Sequence, residues 1–424
     1  MSAPHSSNAP FLEVSSNAMA LQDQAAVIEA IGKAASDATR SAFGTNVRAV
    51  ILTGSLARNE GSIHRDSDEL WRVHGDAEFL ILLSAECPLP IEWDVERNGL
   101  EIEASLFNQG IQCPVSLGYC HEAFFRTMTP HMFAYETRVT GTVVSGEFDA
   151  LTLIPPFLPS EIPLEDAWRT LSNRMIELLE AMAAFLPPTS KYVPDEIAYR
   201  CMKLILDTAT SVLLFEGKYA PTYAQRAANI AQLAATTEFL PRSTISLTEL
   251  ADAVARCTEW KLSGEMASGY ATWNWVKSAC ECAIAVWKWE LQRMSGSDSE
   301  QPLKRLIANS MKRQSVGARV RGWLYVVRSE GWLQSYERWP RWLRMALRAT
   351  PRYWTYEAAG DLFCRLDEYL AISQNHAGNI TSPEALNGDL PLWLSGTRAD
   401  SRNWRDYARA VAFNYHRYLE GTRA

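Results

Sequence analysis

Two β-rich stretches with continuously apolar centres, VRAVILTG at 47–54 and AEFLILLS at 77–84, constrain the fold of this chain more than any other feature. A strand that is apolar on both faces must be covered on both faces, so such runs belong to a sheet lying between other elements. The flanking sequence supplies the cover. QDQAAVIEAIGKAASDATRSAF at 22–43 spaces its apolar groups for a helix and meets a stop at Gly44. EWDVERNGLEIEASLFNQGI, which precedes the strand-like CPVSLGY at 113–119, is long enough for a second helix. TRVTGTVVSGE at 137–147 is rich in Thr and Val and reads as a fourth short strand or hairpin arm.

The pattern breaks at LTLIPPFLPSEIP, where prolines cluster. Beyond it EDAWRTLSNRMIELLEAMAAFL, DEIAYRCMKLILDTATSVLLFEG, TYAQRAANIAQLAATTEFL and YATWNWVKSACECAIAVWKWELQRM all repeat near 3.6 residues. The expected class is therefore α+β, a small mixed-sheet domain followed by a large all-α helical region. The expected divisions are a flexible tail over 1–20, the sheet domain over 21–158 and a helical bundle over 159–296. A basic, Trp-rich helical region over 297–424 follows the Ser- and Gly-bearing stretch MSGSDSEQP.

A formal net charge of -8 argues against a generic nucleic-acid binder, whose affinity comes from neutralising phosphates with Lys and Arg, and no specific nucleic acid is expected. No run reaches the roughly 18 apolar residues of a membrane span; even WNWVKSACECAIAVWKW carries Lys277, Glu281 and Lys288. The N-terminus has neither the basic start nor the apolar core of a secretory signal. Eight cysteines without CxxC spacing point to reduced thiols in a cytoplasm rather than to zinc or disulfides.

The ends of the two apolar runs carry the chemistry. In LTGSLARNEGS (52–62), Gly54 permits close backbone approach to a phosphate and Ser55 offers a hydroxyl, with Arg58 and Ser62 as further candidates for holding a nucleotide. In GDAEFLILL (75–83), Asp76 and Glu78 are one residue apart on a strand, so both carboxylates project from the same face and offer hard oxygen ligands to Mg²⁺ or Mn²⁺. Together these stretches resemble the DNA polymerase beta-like nucleotidyltransferase superfamily over about residues 20–150. The resemblance implies that Gly54 and Ser55 bind the triphosphate of an NTP while Asp76 and Glu78 chelate two divalent ions. Two departures stand out. IHRDSDELWRVH lengthens the gap between the motifs and carries the alternative acids Asp66, Asp68 and Glu69. The third family carboxylate, expected on the next strand, is replaced by Ser116, and Glu103 is either its substitute or a solvated helix residue.

In the helical region, Arg200, Lys203 and Asp207 share a helix face. Lys203 is either a phosphate ligand or the partner of Asp207 in an intrahelical ion pair. Tyr219, Tyr223 and Arg226 surround a Gly and Pro turn and offer base stacking, phosphate binding or plain packing. His121 and His131 read as surface or packing residues. From 304 to 352 there are twelve Lys or Arg against two acids, a local balance of +10 that leaves -18 for the remainder. ERWPRWLRMALRATPRYW places Arg341, Arg344 and Arg348 on one side of a helix and Trp342, Leu343, Ala346 and Leu347 on another. Such a segment, over 338–354, can dock on the chain's own acidic domain or make peripheral contact with an anionic surface.

The expected activity is Mg²⁺-dependent transfer of a nucleoside monophosphate from an NTP to a hydroxyl of a small molecule, saccharide or protein. The alternative is a catalytically degenerate domain of the same fold that binds a nucleotide or a protein partner.

Overall fold

The computed structural model describes residues 10–65, 69–185, 193–237, 246–264, 272–296, 302–333, 335–366 and 404–420. The chain is α+β and divides into two compact units, with the main break between Ile162 and Pro163. Residues 221–223 and the end of the helix Leu247–Ser263 also cluster with the first unit.

The first unit opens with α1 (Pro10–Phe43), which extends helix into the stretch expected as a tail. Then come β1 (Val47–Thr53), α2 (Gly54–Ala57), β2 (Ser62–Arg65), β3 (Trp71–His74), β4 (Ala77–Leu83), α3 (Glu92–Phe107), β5 (Ile111–Gln112), β6 (Val115–His121), α4 (Glu122–Arg126), α5 (Met132–Thr140) and β7 (Thr142–Gly146). The main sheet has the order β6-β4-β1-β7, with β1 antiparallel to β4 and β7, and β4 parallel to β6. Alternation along the strands explains why both apolar runs are continuous. Val50, Leu52, Phe79, Ile81 and Leu83 enter one core with Ile31 of α1 and Ile102 and Leu106 of α3. Ala49, Ile51 and Leu82 enter a second core with Phe125 of α4 and Ala134 of α5. Each face therefore has its own helical cover, as a doubly apolar strand requires. The lengthened gap between the motifs forms the antiparallel hairpin β2–β3, and β5 pairs with β3 to complete a second, three-stranded sheet. The expected strand over 137–147 is shorter than its composition suggested, because Thr137–Thr140 complete α5 and the strand begins only after Gly141.

The second unit is helical: α6 (Leu164–Ala184), α7 (Asp195–Phe215), α8 (Tyr223–Thr236), α9 (Leu247–Ser263), α10 (Trp273–Ser295), α11 (Leu303–Lys312), α12 (Val316–Glu330), α13 (Trp339–Ala346), α14 (Pro351–Cys364) and α15 (Trp404–Glu420). The first residue of α8 and the last turns of α9 are the parts that cluster with the first unit. The helices after 297 do not form a separate region. Trp168 of α6 stacks on Trp287 of α10 at 5.7 Å and meets Tyr353 and Tyr356 of α14 at 4.9 and 5.2 Å. The Trp287 indole donates to the Ser172 hydroxyl (2.8 Å), and Arg405 of α15 donates to the Ala183 carbonyl (2.8 Å). One aromatic core thus joins helices from both sides of the expected boundary, since buried rings of this size dominate packing wherever they meet.

That core also encloses a carboxyl. Glu290 of α10 is fully buried and neither of its oxygens has a hydrogen-bond partner among the described residues. Ser211 lies beside it but donates its hydroxyl to the Ala167 carbonyl (3.1 Å). Burial raises the Glu290 pKa well above the ordinary 4.5, so folding takes up a proton. Stability from this group is complete below the unfolded pKa and declines as pH rises from there towards the folded pKa, by about 1.4 kcal/mol per pH unit. Glu290→Gln should abolish that decline. Its melting temperature is expected to exceed the parent's by a margin that grows from pH 5 to pH 7; parallel curves in calorimetric scans would contradict this account.

Candidate functional site

At the C-terminal end of β1 the chain turns directly into α2. Gly54 at the turn has φ +68°, a conformation that favours glycine. A Cβ at Gly54 would sit 2.9 Å from the carboxyl carbon of Glu78, so the turn and this carboxylate are in direct apposition. The pairing of β1 with β4 explains why: Thr53 is in register with Glu78 and its hydroxyl donates to the Glu78 carbonyl (3.2 Å). Ser55 is partly exposed on the same turn, and its side chain makes no hydrogen bond among the described residues.

Asp76 is exposed just before β4, following Gly75 at φ +112°, and Glu78 is half-buried. Both belong to the even-numbered face of β4 that carries Leu82 into the core under α4 and α5. Ser116 of β6 is in register with Glu78, on the same side as Cys120. Thr53, Glu78 and Ser116 thus form a row across three strands, with Gly54 at one end and Asp76 two residues from its centre. Glu103 does not join this row. It projects from α3, on the opposite face of the sheet, and its Oε1 accepts the Val115 amide (2.8 Å). The alternative acids Asp66 and Asp68 lie outside the described residues. Glu69 is exposed in the β2–β3 turn, where its carboxylate meets Arg65 (3.4 Å).

The donor set is two carboxylates and one neutral hydroxyl. Among the described residues no group of three or more His, Cys, Asp or Glu is placed to hold a metal ion. The pair still suits Mg²⁺, which commonly takes one or two protein carboxylates and fills its remaining positions with water and substrate phosphates.

The other expected nucleotide ligands are placed differently. The Arg58 side chain is only 7% exposed; it donates to Glu60 (3.1 Å) and to Glu136 of α5 (2.8 Å), and lies 5.6 Å from the Tyr223 ring. Its charge is committed inside the unit, where it fastens the Gly54–Ser55 turn to α5. The Ser62 hydroxyl is buried and donates to the Lys261 carbonyl (2.5 Å). Lys203 and Arg226 belong to the helical unit. Arg226 is buried, donating to the Ala220 carbonyl (2.7 Å), the Thr210 hydroxyl (3.2 Å) and the Tyr219 hydroxyl (2.9 Å). Lys203 is half-buried with its ammonium 5.5 Å from the Tyr199 ring, and burial lowers its pKa. The expected Lys203–Asp207 pair is not formed, because Asp207 accepts from Arg174 of α6 instead (2.7 Å). His121 bonds the Cys87 carbonyl (2.8 Å) and His131 caps α5 by accepting the Ala134 amide (3.0 Å).

Sequence reasoning missed Glu60 and Glu136, the two acids that hold Arg58. Glu60 lies within LTGSLARNEGS, but its burial depends on packing that spacing does not encode; Glu136 is 78 residues from Arg58 in the chain. The sequence matches no protein-family model and no curated protein.

Proposed function

We propose that this chain is a Mg²⁺-dependent nucleotidyltransferase, moving a nucleoside monophosphate from an NTP to a hydroxyl of a small molecule, saccharide or protein. The observation that carries this reading is the apposition of the Gly54 backbone and the Glu78 carboxylate, with Asp76 on the same strand face. Asp76 and Glu78 are the residues that would hold the metal. A bound divalent ion supplies charge neutralisation for the leaving pyrophosphate and acidifies the attacking hydroxyl. The chain's own part is positional: Gly54 lets the turn approach phosphate oxygens, Ser55 donates a hydroxyl to them, and Arg58 holds the turn against α5. Eight cysteines outside any disulfide fit a cytoplasmic protein.

Ser116 supports a second reading, a domain that binds nucleotide without turnover, because a neutral hydroxyl stands in register with Glu78 where a third acid is expected. Pyrophosphate release from each of the four NTPs, with Mg²⁺ or with chelator, separates the two. Metal-dependent release supports the transferase; calorimetric NTP binding with no release across a broad acceptor panel supports the degenerate domain; absence of both removes each.

Gly54→Ala probes the apposition directly. The left-handed backbone alone costs a non-glycine residue about 1–2 kcal/mol, and the added methyl must displace the Glu78 carboxyl. A fall in the melting temperature with at least a roughly tenfold loss of pyrophosphate release is expected. Parental turnover in this variant would show that the carboxylate's position beside the turn is immaterial.

A further inference from the structure

The helical unit exposes an apolar and basic face that its own core does not use. On α12, Val316, Val320 and Leu324 follow one another at helical spacing and are 65%, 50% and 52% exposed. On α13 the expected division of faces is different from what the structure contains: Trp342 and Met345 point inward, while Leu343 and Leu347 stand outward at 66% and 77% exposure beside Arg344 and Arg348. The two helices adjoin, since Trp323 of α12 packs on Trp342 of α13 (6.2 Å) and the Arg319 guanidinium donates to the Leu347 carbonyl. In the loop between them Trp332 is 56% exposed, with its ring centroid 5.6 Å from that of Trp339, and Leu333 is 88% exposed.

Among the described residues, Arg321, Arg328, Arg344 and Arg348 are exposed and form no ion pair within 4.0 Å. A purely solvated charged surface has no reason to set aliphatic side chains between its cations, because exposed apolar area of this kind is normally minimised. A single-stranded polynucleotide is held by aromatic platforms alternating with cations, whereas here the helices present valines and leucines and the exposed aromatics, Trp332 and Tyr336, stand only between them. Aliphatic side chains flanked by unpaired arginines match an interfacial helix pair.

We propose that this face, formed by α12, α13 and Trp332–Leu333 between them, docks on the surface of an anionic lipid bilayer. Leu343, Leu347 and the α12 valines enter the headgroup boundary, and the arginines engage lipid phosphates and carboxylates. Contact is peripheral: no described helix is long and apolar enough to cross a membrane.

Flotation of the full chain with phosphatidylcholine vesicles, with and without phosphatidylserine, tests this. Recovery with the anionic vesicles only, diminishing as salt is raised, is expected. Leu343→Ser with Leu347→Ser, and separately Val316→Ser with Val320→Ser, should each weaken binding about tenfold or more. Arg344→Glu with Arg348→Glu should do the same. All six positions are exposed, so parental melting temperatures are expected and checked. No recovery with phosphatidylserine vesicles at low salt would overturn the proposal. So would binding that survives both apolar double variants, which assigns it to charge without insertion, or preferential capture by single-stranded RNA that those variants leave unchanged, which assigns the face to a soluble polyanion.

Discussion

Replacing Asp76 with Asn and Glu78 with Gln is expected to lower Mg²⁺-dependent pyrophosphate release by at least about a thousandfold. Each substitution keeps side-chain shape and removes only the charge. Asp76 is exposed, and Gln at position 78 retains the volume that faces Gly54, so the melting temperature should stay within a few degrees of the parent's. The two measurements belong together. Loss of release with an intact melting transition locates the defect in the carboxylates. Release equal to the parent's would remove these residues from the mechanism and, with them, the proposed activity.

Arg58→Ala is expected to act on stability rather than on chemistry. The guanidinium lies between Glu60 and Glu136, whose side chains are 5% and 20% exposed, and its removal leaves two largely buried carboxylates without their cation. Breaking a buried pair by deleting one partner costs about 3–5 kcal/mol. Chemical denaturation should report a loss of that order, and adding Glu60→Gln and Glu136→Gln to Arg58→Ala should recover part of it. Were Arg58 instead a phosphate ligand, the single variant would keep its stability and lose NTP affinity in calorimetry. The outcomes are distinct because one concerns the unliganded fold and the other the bound state.

The central sheet was readable because its signal is local. Val50 and Ile51, like Ile81 and Leu82, alternate between two cores, and only a strand covered on both sides makes such a run stable. The juxtaposition of Gly54 with Glu78 follows once those strands pair antiparallel, since their motifs sit at the joined ends. Helical spacing was less informative. It placed Lys203 and Asp207 on one face correctly, but whether they pair depends on Arg174 from another helix, which takes the carboxylate first. The same limit applies to α13: periodicity separates sides of a helix without saying which side meets Trp323, and the leucines turned out to share the arginines' side. The supposed boundary at 297 failed for a related reason, because the indole of Trp168 reaches Tyr353 and Tyr356 across a span that composition marked as a linker.

The bond from the Ser62 hydroxyl to the Lys261 carbonyl bears on how the protein can be dissected. A fragment ending at the proline-rich junction would contain every described strand and both motifs, yet would leave the Ser62 hydroxyl without the Lys261 carbonyl and Arg58 without Tyr223. During synthesis the Lys261 carbonyl emerges 199 residues after the Ser62 hydroxyl that donates to it. Truncations made at the obvious seam will thus underreport what the intact polypeptide does.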